Sequence, residues 1–252
     1  MFPLYDENPT ELRPVVTILV MGLCVATWLL VQGGGSDPSI FLASVCTYGL
    51  IPAELTGTVP AALAAGGADF PCRLGGPTWA TTVTSMFLHG GWGHLLGNLW
   101  FLWVFGNNIE DSMGHMRFVV FYVLCGLGAA AAQVLQDPGS AIPMVGASGA
   151  ISGVMGAYAL LYPRARVNTA IIIILFIRII PLPAWMMLGY WFLLQLLAGS
   201  LGLETGTAFW AHIGGFVAGV ALIKLFERPQ LVVAKRAHRK LGPDEIKELG
   251  WW

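Results

Sequence analysis

The chain has 252 residues, 56% of them hydrophobic and only 11% charged, with ten tryptophans and a formal net charge of −1. That balance excludes an ordinary soluble domain and points to a multi-span membrane protein. No basic stripe interleaved with aromatics is present, which excludes a nucleic-acid partner, and neither the CxxC nor the HExxH zinc template occurs, so no metal and no cofactor are expected.

The first fourteen residues are polar, carry Pro3, Pro9 and Pro14, and lack the basic start and cleavage site of a signal peptide. Val15 to Val31 reads as the first span, long enough at about 1.5 Å per residue to cross most of a ~30 Å hydrocarbon core, and Gly33-Gly34-Gly35 ends it. Residues 33 to about 80 form a long loop rich in Gly, Pro, Ser and Thr, with apolar patches too short to span. A connection of that length is functional or lies on the membrane surface. It holds Cys46 and Cys72, whose pairing the spacing leaves open, whereas Cys24 and Cys125 lie in apolar runs as packing residues.

Further spans are predicted from about Trp92 to Phe105, from Arg117 to Val134 and from Ser148 to Tyr162. Ile171 to Ile177 is β-branched and apolar, but Arg178 and two prolines interrupt it, so an interfacial strand or hairpin is expected there. Pro183 to Ala198 and Thr207 to Phe226 complete six spans. The expected fold is an all-α, six-transmembrane-helix bundle with a long outer loop between the first two helices. Its expected organisation is a cytosolic segment 1–14, a six-span domain 15–226 and a charged cytosolic or interfacial tail 227–252. Six spans put both termini on one side. With that side inside, Arg13, Arg117, Arg164, Arg166, Arg178, Lys224, Arg228, Lys235, Arg236, Arg239, Lys240 and Lys247 are internal, and Arg73 is the external basic residue. Basic residues concentrate on the cytoplasmic side of membrane proteins, which sets the orientation.

In that orientation Ser148, His212, His94 and Asn98 come from three different spans and share one depth near the outer face. Polar groups in spans are costly and point into the bundle. Gly149, Gly153 and Gly156 make a small face beside Ser148, and Ala208, Ala211, Gly215 and Gly219 make one beside His212. Such faces let helices approach closely, which would bring imidazole and hydroxyl together. A serine is a weak nucleophile until a base takes its proton, and the N–H groups of a helix N-terminus stabilise an oxyanion. The spans hold no carboxylate to orient His212; Glu204 and Asp137 are loop candidates, and Glu110 lies at the inner end. A Ser-His dyad is therefore expected, with His94, Asn98 and the helix start at Gly149 as oxyanion support. His89 belongs to the preceding loop, and a metal site built from His89, His94 and His212 matches no known spacing.

The segments His89-Gly90-Gly91-Trp92-Gly93-His94-Leu95-Leu96-Gly97-Asn98 and Phe105-Gly106-Asn107-Asn108-Ile109-Glu110-Asp111 closely resemble the second-span signature of rhomboid intramembrane serine proteases. Gly146-Ala147-Ser148-Gly149-Ala150 resembles that family's nucleophile motif, and Ala211-His212-Ile213-Gly214-Gly215 its histidine motif. The resemblance covers about residues 80 to 226. It implies Ser148 as nucleophile, His212 as general base, His94 and Asn98 as oxyanion stabilisers, and a short fourth helix that reaches a water-filled cavity. It also implies a first loop lying partly in the outer leaflet, and entry gated by helix five or its adjoining loop. One departure stands out: where some members carry a tyrosine beneath the histidine, one turn after the serine, this chain has Ser152.

The expected activity is hydrolysis of peptide bonds in or beside membrane-spanning helices of other proteins, with the bilayer as the second partner. Oligomeric state is left open. The expected location is a bacterial or archaeal plasma membrane. A non-catalytic relative that binds membrane-protein clients is the alternative, disfavoured because both serine and histidine are present. A transporter is disfavoured because the polar groups cluster outward and leave the inner halves apolar.

Overall fold

The computed structural model describes residues 1–59, 72, 79–173, 176–203, 206–237, 242 and 245. Arg73, Glu204 and the Trp251-Trp252 end lie outside the described residues. Most of the chain is helical. β1 (Phe2–Asp6) precedes α1 (Val15–Ala26), which runs on through a wider π turn to Val31. α2 (Pro38–Tyr48), α3 (Pro52–Thr56) and α4 (Thr81–Thr84) follow, then α5 (Trp92–Met113), α6 (His115–Gln136) and α7 (Ser148–Leu161). The hairpin β2 (Arg166–Ile173) and β3 (Phe176–Pro183) leads to α8 (Ala184–Ser200), α9 (Phe209–Phe226) and α10 (Pro229–Arg236). Among the described residues, α6 and α9 are the two helices both long and apolar enough to cross a membrane; α1 with its π turn, α7 and α8 are shorter apolar helices.

α7 is the central element. Ten consecutive residues, Gly149 to Tyr158, are buried, so every face of the helix meets a neighbour. Its 14 residues give a length of about 21 Å, shorter than a hydrocarbon core of ~30 Å. The two predicted small faces do meet: a methyl group at Gly215 would overlap the carbonyl oxygen of Gly149, and one at Gly219 that of Gly153. Glycine at those points lets backbone touch backbone, the packing that small-residue helix faces allow. α6 closes the third side, where a methyl at Gly128 would come within 2.8 Å of Ala218 Cβ.

Three segments differ from the sequence expectation. The first fourteen residues are not a free polar lead. β1 pairs antiparallel with β2, Phe2 opposite Ala170 and Asp6 opposite Val167, so the predicted hairpin becomes a three-stranded sheet in the order β1-β2-β3. The long first loop contains helices, α2 being started by the Asp37 carboxylate, which accepts from the Ser39 backbone at 2.8 Å. Such caps satisfy N–H groups that have no acceptor inside the helix. The helix expected to end at Phe105 continues to Met113, because its polar end is satisfied inside the protein. Glu110 accepts from the Val16 and Thr17 backbones, and Asn108 donates to Asp6 at 2.8 Å.

Part of the tail also belongs to the fold. α10 buries Leu231, Val232 and Ala234, and Lys235 pairs with Asp111 at 2.8 Å, both side chains being nearly inaccessible. Arg236 donates twice to the Leu161 carbonyl, at 2.6 and 2.9 Å, and so caps the C-terminus of α7. A cation at the carbonyl end of a helix also meets the negative end of its dipole.

Candidate active site

At the end of the bundle opposite the sheet, a cavity of about 960 Å³ is lined by Ser148, His212, His94 and Asn98. The loop before α7 reaches it through Gly146, whose φ of 127° disfavours a side chain. Space forbids one as well, since a Cβ there would lie 2.7 Å from His94 Nε2. Gly146 N–H donates to the Ser85 carbonyl at 2.9 Å, which anchors this turn to the segment after α4. Ser148 is the first residue of α7, where backbone N–H groups have no intrahelical acceptor.

Ser148 Oγ lies 2.8 Å from His212 Nε2. The other ring nitrogen, Nδ1, lies 2.9 Å from Gln195 Oε1. An amide oxygen only accepts, so Nδ1 carries the hydrogen and Nε2 keeps the lone pair that faces the serine. The loop acid Asp137 is therefore not the partner of His212 in this arrangement. Trp191, one turn before Gln195 on α8, sets its ring 5.8 Å from the imidazole with an interplanar angle of 37°. Ser152 is buried and donates to the Ser148 carbonyl at 2.7 Å, so it stays within its own helix and does not touch the histidine.

On α5, His94 Nδ1 accepts from the Gly90 N–H at 3.2 Å, which leaves the proton on Nε2 as a donor. Asn98 is one turn further along. Its Nδ2 is buried and has no acceptor among the described residues, so no interhelical hydrogen bond of that amide group is seen. His89 lies in the loop as expected, but its ring is buried only 5.3 Å from that of His94. Gln32 exchanges two bonds of 2.8 Å with the His89 backbone and so fixes the entry to α5.

The arrangement can therefore combine a hydroxyl, a base that holds a free lone pair on it, and donors aimed into the same cavity. Sequence reasoning had missed Trp191 and Gln195. The available signal was a single amide residue in the otherwise apolar run Trp191 to Ala198. Each of the four predicted residues is brought to this one cavity.

Comparison with known proteins adds independent information. The Rhomboid domain profile matches residues 76–229, more than half of the chain. The chain is similar to the rhomboid protease GluP of Bacillus subtilis, 31% identical over 147 residues, covering 56% of this chain and 25% of that protein. It is also similar to the mitochondrial rhomboid protein 1 of Saccharomyces cerevisiae, 29% identical over 145 residues, covering 55% and 39% respectively. The chloroplastic rhomboid-like protein 11 of Arabidopsis thaliana is 40% identical over 77 residues, 31% of this chain and 27% of that protein. The chain thus spans well under two thirds of the length of these relatives. The matched segment contains the turn at Ser148, the helix that carries His212 and the α5 motif in one stretch, and the chain belongs to the rhomboid family of membrane-embedded proteins.

Proposed function

We propose that this protein is an intramembrane serine endopeptidase working through a Ser148–His212 dyad. The observation that carries the reading is the 2.8 Å contact between Ser148 Oγ and His212 Nε2 inside the cavity that Asn98 and His94 also line. His212 Nε2 removes the hydroxyl proton as Oγ attacks the scissile carbonyl carbon. Negative charge develops on the carbonyl oxygen, within reach of His94 Nε2–H, the Asn98 amide and the free N–H groups at Ser148 and Gly149. Fixed donors of this kind do not reorganise during the reaction, and one is typically worth about 3–4 kcal/mol of transition-state stabilisation. Protonated His212 then gives its proton to the leaving amine, and water repeats the sequence on the acyl-serine ester. The relatives named as rhomboid proteases support the chemistry.

The topology we favour has six spans, α1, α5, α6, α7, α8 and α9, with both termini inside and the cavity near the outer face. The basic-residue distribution supports that orientation. So does the disulfide between Cys46 and Cys72 in the first loop, since such bonds persist on the oxidising side of a membrane. Substrates are membrane-spanning proteins whose helix unwinds near that face, because a helical peptide bond is shielded by its own hydrogen bonding. Small or helix-weakening residues at the cleavage site are therefore expected.

Cleavage of a reconstituted single-span substrate by wild type, Ser148→Ala and His212→Ala tests the dyad. Both variants are expected to be inactive, and wild-type rates from either would overturn it. A fluorophosphonate probe should label Ser148 in the wild type and leave Ser148→Ala unmarked.

A further inference from the structure

We propose that Gln195 is a positioning residue for the reaction, setting the tautomer and ring plane of His212; this rests on the Ser-His reading above. Its Oε1 takes the Nδ1 edge of the imidazole at 2.9 Å while the opposite edge meets Ser148 at 2.8 Å. If the hydrogen moved to Nε2, the ring would face serine with a donor and could not accept its proton. The amide oxygen therefore selects the productive form, because it can only accept. It also remains an acceptor when the imidazole is protonated, so the bond persists through proton transfer.

α8 supplies the ring's face as well as its edge. Trp191 and Gln195 are four residues apart, so they share one side of the helix. The Trp191 ring lies against the imidazole and also stacks on Phe216 at 6.3 Å. α7 contributes no ring to this support, because Ser152 is turned inward to the Ser148 carbonyl. A neutral amide suits an apolar bundle better than a carboxylate would, since burying a charge away from water costs far more than burying a hydrogen-bonded amide. This explains how the histidine is oriented although no acid among the described residues hydrogen-bonds to it.

The test uses the full chain in lipid vesicles, with kcat and KM for a single-span substrate measured across the pH range in wild type, Gln195→Leu and Gln195→Glu. Gln195→Leu should lower kcat about tenfold or more with KM unchanged, and the acid limb of the profile should move to lower pH, because the imidazolium has lost an acceptor. Gln195→Glu presents an oxygen at the same place and should keep activity, with its acid limb moved to higher pH. A purely structural role would move neither limb. Superimposable profiles, or a kcat for Gln195→Leu within about twofold of wild type, would overturn the proposal. If Gln195→Leu folds poorly, the direction of the Gln195→Glu limb decides alone. Ser148→Ala separates the two readings: an active Ser148→Ala removes the dyad itself, whereas an inactive one beside a wild-type Gln195→Leu removes only the role of Gln195.

Discussion

Glu110→Ala is expected to destabilise the protein severely while leaving each folded molecule active. The carboxylate is fully buried at the sheet end of α5; besides the partly exposed His115 at the start of α6, 2.5 Å from Oε1, its partners are on α1. Oε1 accepts the Val16 N–H at 2.9 Å, and Oε2 accepts the Thr17 N–H at 2.8 Å and its hydroxyl at 2.7 Å. These N–H groups belong to the first turn of α1 and have no acceptor within it. Glu110 thus caps another helix from a distance of 94 residues in the chain and meets the positive end of its dipole. Alanine would leave two buried N–H groups unsatisfied at about 1–3 kcal/mol each, plus a few tenths to 1 kcal/mol of lost dipole interaction. A loss of about 3–5 kcal/mol follows, or roughly a 10 °C drop in Tm for a chain of this size. Glu110→Gln keeps one acceptor oxygen and should fall between. His94 lies sixteen residues away on the same helix, about 24 Å along the axis, so the cavity is out of reach of the change. Thermal unfolding in micelles, with cleavage rates normalised to fluorophosphonate-labelled sites, reads both effects. A Glu110→Ala Tm within about 2 °C of wild type would refute the capping argument.

Asn98→Ala should lower kcat about 100-fold without lowering Tm, because the Nδ2 group it removes has no acceptor to lose; an unchanged kcat would remove Asn98 from oxyanion support. Gly219→Val should reduce both folded yield and activity, since any side chain there drives α9 away from the Gly153 carbonyl. Gly22→Ala is its control, because nothing lies within 4 Å of a methyl at that position, and a small gain in Tm is expected. Asp6 should make stability fall as pH rises. Burial pushes its carboxyl up to about 6 from an ordinary 3.8, against the opposing Tyr158 hydrogen bond and the Lys235 charge. A raised folded-state pKa gives stability that is complete below about pH 4 and lost as pH passes 6. Comparing Asp6→Asn with wild type from pH 4 to 7 should reveal a relative gain for the variant of about 2 kcal/mol, after allowing for partial exposure; parallel Tm curves would contradict it.

Much of the site was legible because its residues contrast with their surroundings. A serine, two histidines and an asparagine in apolar helices are each expensive to bury, which marks them as candidates for one shared site. The small faces on α7 and α9 were legible from their helical spacing. Which glycine meets which carbonyl was not, because that depends on how far one helix slides along the other. Gln195 was overlooked as a single amide in a long apolar run, although its isolation was a signal of the same kind as that of Asn98. The hairpin after α7 was visible as a β-branched stretch too short to cross. The third strand was hidden because Phe2–Asp6 becomes a strand only by pairing with residues more than 160 positions away.

From the sequence by itself came the membrane class, the approximate positions of the apolar helices, the serine turn and the residues around it, since hydropathy, periodicity and small-residue spacing are properties of local segments. Tertiary structure alone decided that Glu110 caps α1, that Asp6 meets Tyr158, that α10 binds the end of α7, and that an amide on α8 holds His212. Each of these is a choice of hydrogen-bond partner between helices or strands. Such choices follow from which polar groups are buried side by side once the apolar faces have packed, and no local pattern in the chain records that proximity.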